Sequence, residues 1–334
     1  MSGRPGRSAP KRFLVAPDSF KGTLRAAEVA AAIGRGVERA GACSDLCPSA
    51  DGGEGTMDVL VAALGGERRT AHAHDPLGRP IEAPYALIRE GSTAVVEVAA
   101  ASGLALVEPE ERDPEGASSA GTGELIAAAI EAGPERVLVA AGGSATTDGG
   151  RGAIDALPAA GGLRAARLEV LCDTTVPFER AAEVFAPQKG ASAEQVERLT
   201  DRLVALAGAL PRDPRGRTMS GAAGGLSGGL WAAFGAHLIP GAATVLGMLG
   251  FDRRLEEASA VITGEGRLDS QSLEGKLVGE IARRCRAARV PVHAIAGRVE
   301  LEPDELARLG FASVAEGGTP DAIADAAERI AGPG

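Results

Sequence analysis

Short apolar runs bounded by turn residues recur at 13–16 (FLVA), 45–48 (DLCP), 260–263 (AVIT), 292–296 (VHAIA) and 311–315 (FASVA), and each predicts a strand. Helical patterns alternate with them. Val29, Ile33 and Val37 fall on one helical stripe, with Thr23 placed as N-cap and Gly41 as the C-terminal stop. Further helices are predicted over 53–64, 274–289, 303–309 and 320–331. Strand–helix alternation of this kind implies a parallel sheet covered on both faces.

The middle of the chain has a different rhythm. Residues 81–88 (IEAPYALI) and 93–99 (TAVVEVA) alternate apolar and polar positions around REGS, a hairpin signature. A helix is predicted over 121–131, strands over 136–140 and 168–171, and a polar-faced helix over 192–209. The expected organisation is therefore two α/β domains: a discontinuous parallel-sheet domain (13–74 plus 250–334) and an inserted mixed-sheet domain (75–249), behind a disordered basic tail (1–12). No repeat of 20–50 residues is found, so the two Asp-Gly-Gly stretches are not tandem units.

Composition narrows the class. The 334 residues are 45% hydrophobic but only 3% aromatic, with 47 glycines, so the core must be layered from Ala, Val, Leu and Ile. The net charge of −10 argues against nucleic acid or an anionic membrane as the main partner. Cys43, Cys47, Cys172 and Cys285 have no metal or redox spacing and are expected to be reduced thiols. The N-terminus lacks the apolar stretch of a secretory signal, and a cytoplasmic protein is expected. Residues 219–251 carry no Asp, Glu, Lys or Arg, but nine glycines, Pro240 and His237 interrupt them. They predict a buried small-residue segment, part helix and part loop, and no membrane span.

The candidate chemistry lies in loops at predicted strand ends, where open parallel sheets gather ligands. PDSFKGT (17–23), SADGGEGT (49–56) and GEGRLD (264–269) follow three strands of the outer domain, and AGGSATTDGGRG (141–152) follows 136–140 of the inserted one. One DGG loop would thus come from each domain, facing across a cleft. Gly142, Gly143, Ser144, Thr146, Thr147, Gly149 and Gly150 suit a backbone N–H cradle for an anion. Asp51, Glu54, Asp148, Glu265 and Asp269 could hold Mg2+ or accept a hydroxyl proton. Phosphoryl transfer uses that combination, since its work is positioning and charge neutralisation.

Lysine usage sharpens the picture. Of 35 basic residues only four are Lys, and Lys21, Lys189 and Lys276 each adjoin a glycine, which marks them as phosphate or carboxylate contacts. The P-loop, GxGxxG, HRD and DFG signatures are absent. Ser102 and Ser144 lack the GxSxG elbow of a hydrolase. His72 and His74 are expected to be solvated residues of an interdomain connection, and Asp173 in CDTTVPF either reaches the cleft or caps a turn.

In their order, APDSFKGT, SADGGEGT, VEVAAASGL, SSAGTGELI, GGSATTDGGRG, PQKGA and TGEGRLDSQSLEGK resemble the bacterial type I glycerate kinases, over about residues 13–330. The resemblance implies Mg2+- and ATP-dependent phosphorylation of D-glycerate to 2-phosphoglycerate, by a Rossmann- or flavodoxin-like discontinuous domain and an inserted one. On that footing ATP lies along 142–150, Mg2+ is held by some of Asp51, Asp148 and Asp269, and Lys21 and Lys189 neutralise the transferred phosphoryl group. Arg267 or Lys276 grips the acceptor carboxylate, Ser19 and Asp269 join the acceptor site, and Asp51 and Asp148 are rival bases. The enzyme would be a monomer or homodimer.

Two departures stand out. Only fifteen residues separate DGGRG from LEVLCD, fewer than the family commonly has, and Val176 precedes Pro177 where the family tends toward Asn. They keep two alternatives open: a kinase for a related hydroxy acid or aldonate, and a non-catalytic ligand-binding homologue.

Overall fold

A computed structural model describes residues 11–159, 161–269 and 276–332. Its strands are β1 (Arg12–Val15), β2 (Cys43–Leu46), β3 (Gly66–His74), β4 (Pro80–Ile88), β5 (Thr93–Glu97), β6 (Arg136–Ala140), β7 (Arg167–Cys172), β8 (His237–Pro240), β9 (Ala260–Leu268), β10 (Val292–Val299) and β11 (Ser313–Glu316). Five form a parallel sheet in the order β11-β10-β9-β1-β2. The other six run in chain order, β3 to β8, antiparallel as far as β5 and parallel from there on. The chain is α/β, with the discontinuous parallel sheet and the interrupting mixed sheet that the sequence predicts.

Each sheet anchors its own unit. One unit runs to Ser49 and resumes at Gly250; the other spans Ala50–Leu249 and takes in Lys276. The division thus falls at 49/50, whereas the sequence pattern placed it at 74/75. The cause is pairing: β3 matches β4 along its whole length, from Gly66 opposite Ile88 to His74 opposite Pro80. β3 was missed because its GERRTAHAH is exposed at nearly every position and carries no apolar signal. His72 and His74 are therefore strand residues beside Glu82 and Glu124 and not part of a linker, and both are solvent-exposed as expected.

In the parallel unit, helix Ala26–Arg39 buries Val29, Ile33 and Val37 in a cluster with Phe13, Val15, Ile323 and Ala327. Each large side chain so buried contributes about 1.5–3 kcal/mol. Gly36 permits the close approach to helix Pro320–Ala331: a Cβ there would stand 2.0 Å from the Ala324 carbonyl oxygen. Gly41 (φ 78°) follows the helix end as expected. The start differs from expectation. Thr23 donates to the Phe20 carbonyl at 2.8 Å, and Glu28 instead takes the backbone N–H of Arg25 at 2.8 Å, so the helix begins two residues later with Arg25 as cap.

In the mixed unit, helix Ala120–Glu131 lays Leu125, Ile126, Ala129 and Ile130 on the β5 and β6 valines Val96, Val137 and Val139. The uncharged 219–251 stretch resolves into helices Leu226–Phe234 and Gly241–Met248 around β8. No described helix is long and apolar enough to cross a membrane. The four cysteines are unpaired, Cys43 exposed and the others buried. Residues 1–10 of the expected tail lie outside the described residues, as does the 270–275 part of the predicted 274–289 helix, which is described as Leu277–Ala288.

Candidate active site

β5, β6 and β7 end side by side, with Glu97 opposite Ala140 and Ala140 opposite Leu171. The glycine loop leaves β6 at this carboxyl edge. Two backbone bonds fix its course, Leu104 N–H to the Gly143 carbonyl (2.8 Å) and Ala145 N–H to the Ser102 carbonyl (2.9 Å). Gly143, Gly149 and Gly150 take left-handed φ values of 69°, 65° and 78°, which a side chain would strain. The N–H groups of Gly142, Gly143 and Ser144 have no acceptor among the described residues. The buried hydroxyls of Thr146 and Thr147 are likewise without a partner. Buried polar groups are nearly always hydrogen-bonded, so a cluster of unpaired donors fits an anion cradle.

Both DGG loops belong to the mixed-sheet unit, a correction to the expectation of one per domain. They meet directly there. A Cβ on Gly142 would lie 2.7 Å from the Gly53 Cα, and one on Gly143 would lie 3.5 Å from Glu54 Oε2. Asp51 is buried and folds its turn by accepting the Gly53 N–H at 2.9 Å.

Lys189 sits beneath the loop, 2% exposed, and donates to Ser144 Oγ (3.1 Å) and the Thr146 carbonyl (2.5 Å). Burial pushes its ammonium down to about 7, against an opposing pull from Asp148. Asp148 accepts four hydrogen bonds, from Ser119 N–H (2.9 Å), Ser119 Oγ (2.7 Å), Gly150 N–H (3.0 Å) and Gly152 N–H (3.1 Å). It ties the loop to the start of helix Ala120–Glu131.

Glu97 was not singled out from the sequence. Its carboxylate, 8% exposed, accepts the N–H groups of Met57 (2.7 Å) and Gly55 at the start of helix Thr56–Leu64, which leads out of the Asp51 turn. Burial raises it to about 7, the charges of Asp58 and Glu54 add to the rise, and the two N–H groups oppose it. The available clue was an acid interrupting the predicted strand 93–99, which in the structure ends at that acid.

The remaining candidates belong to the parallel-sheet unit. GEGRLD proves to be no loop: β9 runs on to Leu268 in register with β10, Gly264 opposite Ile295 and Leu268 opposite Val299. Its glycines serve close approach, since a Cβ at Gly264 would be 2.2 Å from the Ile295 carbonyl oxygen. Gly266 lies against the backbone of Phe20 and Lys21, so the loop carrying Ser19 and Lys21 adjoins the strand carrying Arg267. Arg267 is exposed and ion-pairs with Asp269 at 3.1 Å. Lys276, in contrast, groups with the mixed-sheet unit.

The glycerate kinase family profile matches residues 13–161 and 158–331. The chain is 38% identical to a glycerate kinase of Bacillus subtilis (strain 168), over 96% of this chain and 94% of that protein. It is 37% identical to a glycerate 2-kinase of Escherichia coli (strain K12), over 86% and 85%. A crystal structure of a protein described as glycerate kinase 2 from Salmonella typhimurium LT2 superposes with a TM-score of 0.79 at 34% identity, covering 96% of this chain and 97% of that one.

Proposed function

This chain belongs to the glycerate kinase family, and on that premise we propose that it transfers the γ-phosphoryl group of ATP to the 2-hydroxyl of D-glycerate, releasing ADP and 2-phosphoglycerate. The observation that carries the reading is the loop 142–150. Its three unpaired N–H groups, two buried threonine hydroxyls without partners and the Lys189 ammonium below all suit the phosphate tail of a nucleotide.

Mg2+ supplies charge neutralisation at the phosphates when bound. A nucleotide-borne Mg2+ needs only one or two carboxylates beside the phosphates. No three acids, imidazoles or thiols converge among the described residues, and a nucleotide-borne ion does not require them. Asp148 has both oxygens engaged, by Ser119, Gly150 and Gly152, so we assign the proton of the acceptor hydroxyl to Asp51 and an anchoring role to Asp148. Lys21, exposed on its loop, and Arg267 are assigned to reactant anions. The setting we propose is cytoplasmic, with the enzyme a monomer or homodimer.

The test is ADP release coupled to a reporter, with D-glycerate and a small panel of aldonates as acceptors, followed by identification of the phosphorylated carbon. Turnover with D-glycerate that falls at least a hundredfold in Lys21→Ala supports the reading. ADP release with no acceptor of the panel, despite ligand-induced thermal stabilisation, would replace it by a binding protein.

A further inference from the structure

Arg112 follows the short helix Pro109–Glu111 and stands beside the Lys189–Gly190 turn; a Cβ at Gly190 would lie 3.8 Å from its own Cβ. Its Nε is shut off from solvent and has no hydrogen-bond acceptor, the sole arginine nitrogen in that condition among the described residues. A buried guanidinium nitrogen without an acceptor is costly.

Three acids close to it in the chain are engaged elsewhere. Glu111 receives Arg79 at 3.0 Å. Asp113 accepts the N–H groups of Glu115 (3.2 Å) and Gly116 (2.9 Å) in its own turn. Glu115 is held by Arg198 at 2.8 and 3.0 Å.

The Arg112 turn is also fastened to the glycine loop. Arg202 bridges the two, donating to the Glu115 carbonyl (2.6 Å) and the Thr147 carbonyl (3.3 Å), and Ser119 reaches Asp148 as described. A guanidinium nitrogen without an acceptor therefore adjoins a loop whose unpaired groups can all donate. We propose that the Arg112 guanidinium, with Lys189 and the glycine loop, grips an oxyanion of one reactant, either a nucleotide phosphate or the acceptor carboxylate. The planar fork matches both groups. This inference rests on the kinase reading above.

Wild type, Arg112→Met and Arg112→Lys are compared for KM toward ATP and toward D-glycerate, and for calorimetric binding of ADP and of D-glycerate separately. The Met variant should raise KM for one reactant on the order of tenfold to a hundredfold, weaken binding of the same reactant, and leave the other within about twofold. The affected reactant identifies the source of the oxyanion. The Lys variant should recover part of the loss. Melting temperature should stay level or rise in Arg112→Met, because a buried nitrogen without an acceptor is removed. A destabilised Met variant would reveal a structural partner for Arg112 and overturn the inference, as would unchanged KM values and affinities for both reactants. Should wild type release no ADP, the kinase reading fails, and the calorimetric arm still decides whether Arg112 holds an anion.

Discussion

Substituting Glu97 by Gln removes a charge while keeping an oxygen that can accept the Met57 and Gly55 N–H groups. The native carboxyl sits at about 7 against an ordinary 4.5. A group raised in this way stabilises the fold fully below the unfolded value, and that contribution is lost as pH rises through the folded one. The window is therefore pH 4.5 to about 7. With 1.36 kcal/mol per pH unit, the loss across it is about 3 kcal/mol. Glu97→Gln should show no such loss, so its stability relative to wild type should climb by about that amount between pH 4.5 and 8. For a unit of this size that is roughly 6–12 °C in melting temperature. Urea unfolding of both proteins at several pH values measures the difference. If the difference stays level within about 0.5 kcal/mol across the window, Glu97 does not titrate there and the assigned effect of its burial is wrong.

Other outcomes can be checked alongside. Gly142→Ala forces a Cβ to within 2.7 Å of Gly53 Cα; the two loops must part, and we expect a cost of about 1–3 kcal/mol together with a KM for ATP raised about tenfold or more. Asp148→Ala strands four donors and should lose about 2–4 kcal/mol in denaturant unfolding, with Asp148→Asn losing less because one acceptor oxygen survives. Lys189 titrates near 7 in the fold against an ordinary 10.5. Its contribution should therefore rise with pH across that interval, visible as a pH-dependent stability difference between wild type and Lys189→Met.

Where periodicity and end signals agree, the sequence was a sufficient guide. Strand 136–140 and helices 303–309 and 320–331 are described within the bounds that their apolar spacing marks. β3 was invisible because an exposed strand needs no apolar face, and its register comes from a partner, β4. GEGRL was mistaken for a loop because glycine signals a turn, whereas Gly264 and Gly297 serve close packing between strands. The glycine loop was legible as a cradle from residue type alone. The engagement of Asp148 by Ser119, twenty-nine positions away, was not, and neither was the burial of Lys189 or the isolation of Arg112. Those properties arise from what folding brings near, which no local pattern encodes.

The backbone contact between Gly53 and Gly142 constrains how this protein can diversify. Gly142 cannot acquire a side chain alone, since its first methyl group would meet Gly53 Cα at 2.7 Å, whereas a methyl group on Gly53 would press on Asp51 Oδ1 at 3.0 Å and on Gly142 Cα at 3.3 Å. Selecting active members from a library randomised at both codons should return glycine at 142 and only glycine or alanine at 53. Homologues with altered acceptor preference would then have to vary beyond this contact, leaving Gly142 as a fixed hinge of inheritance.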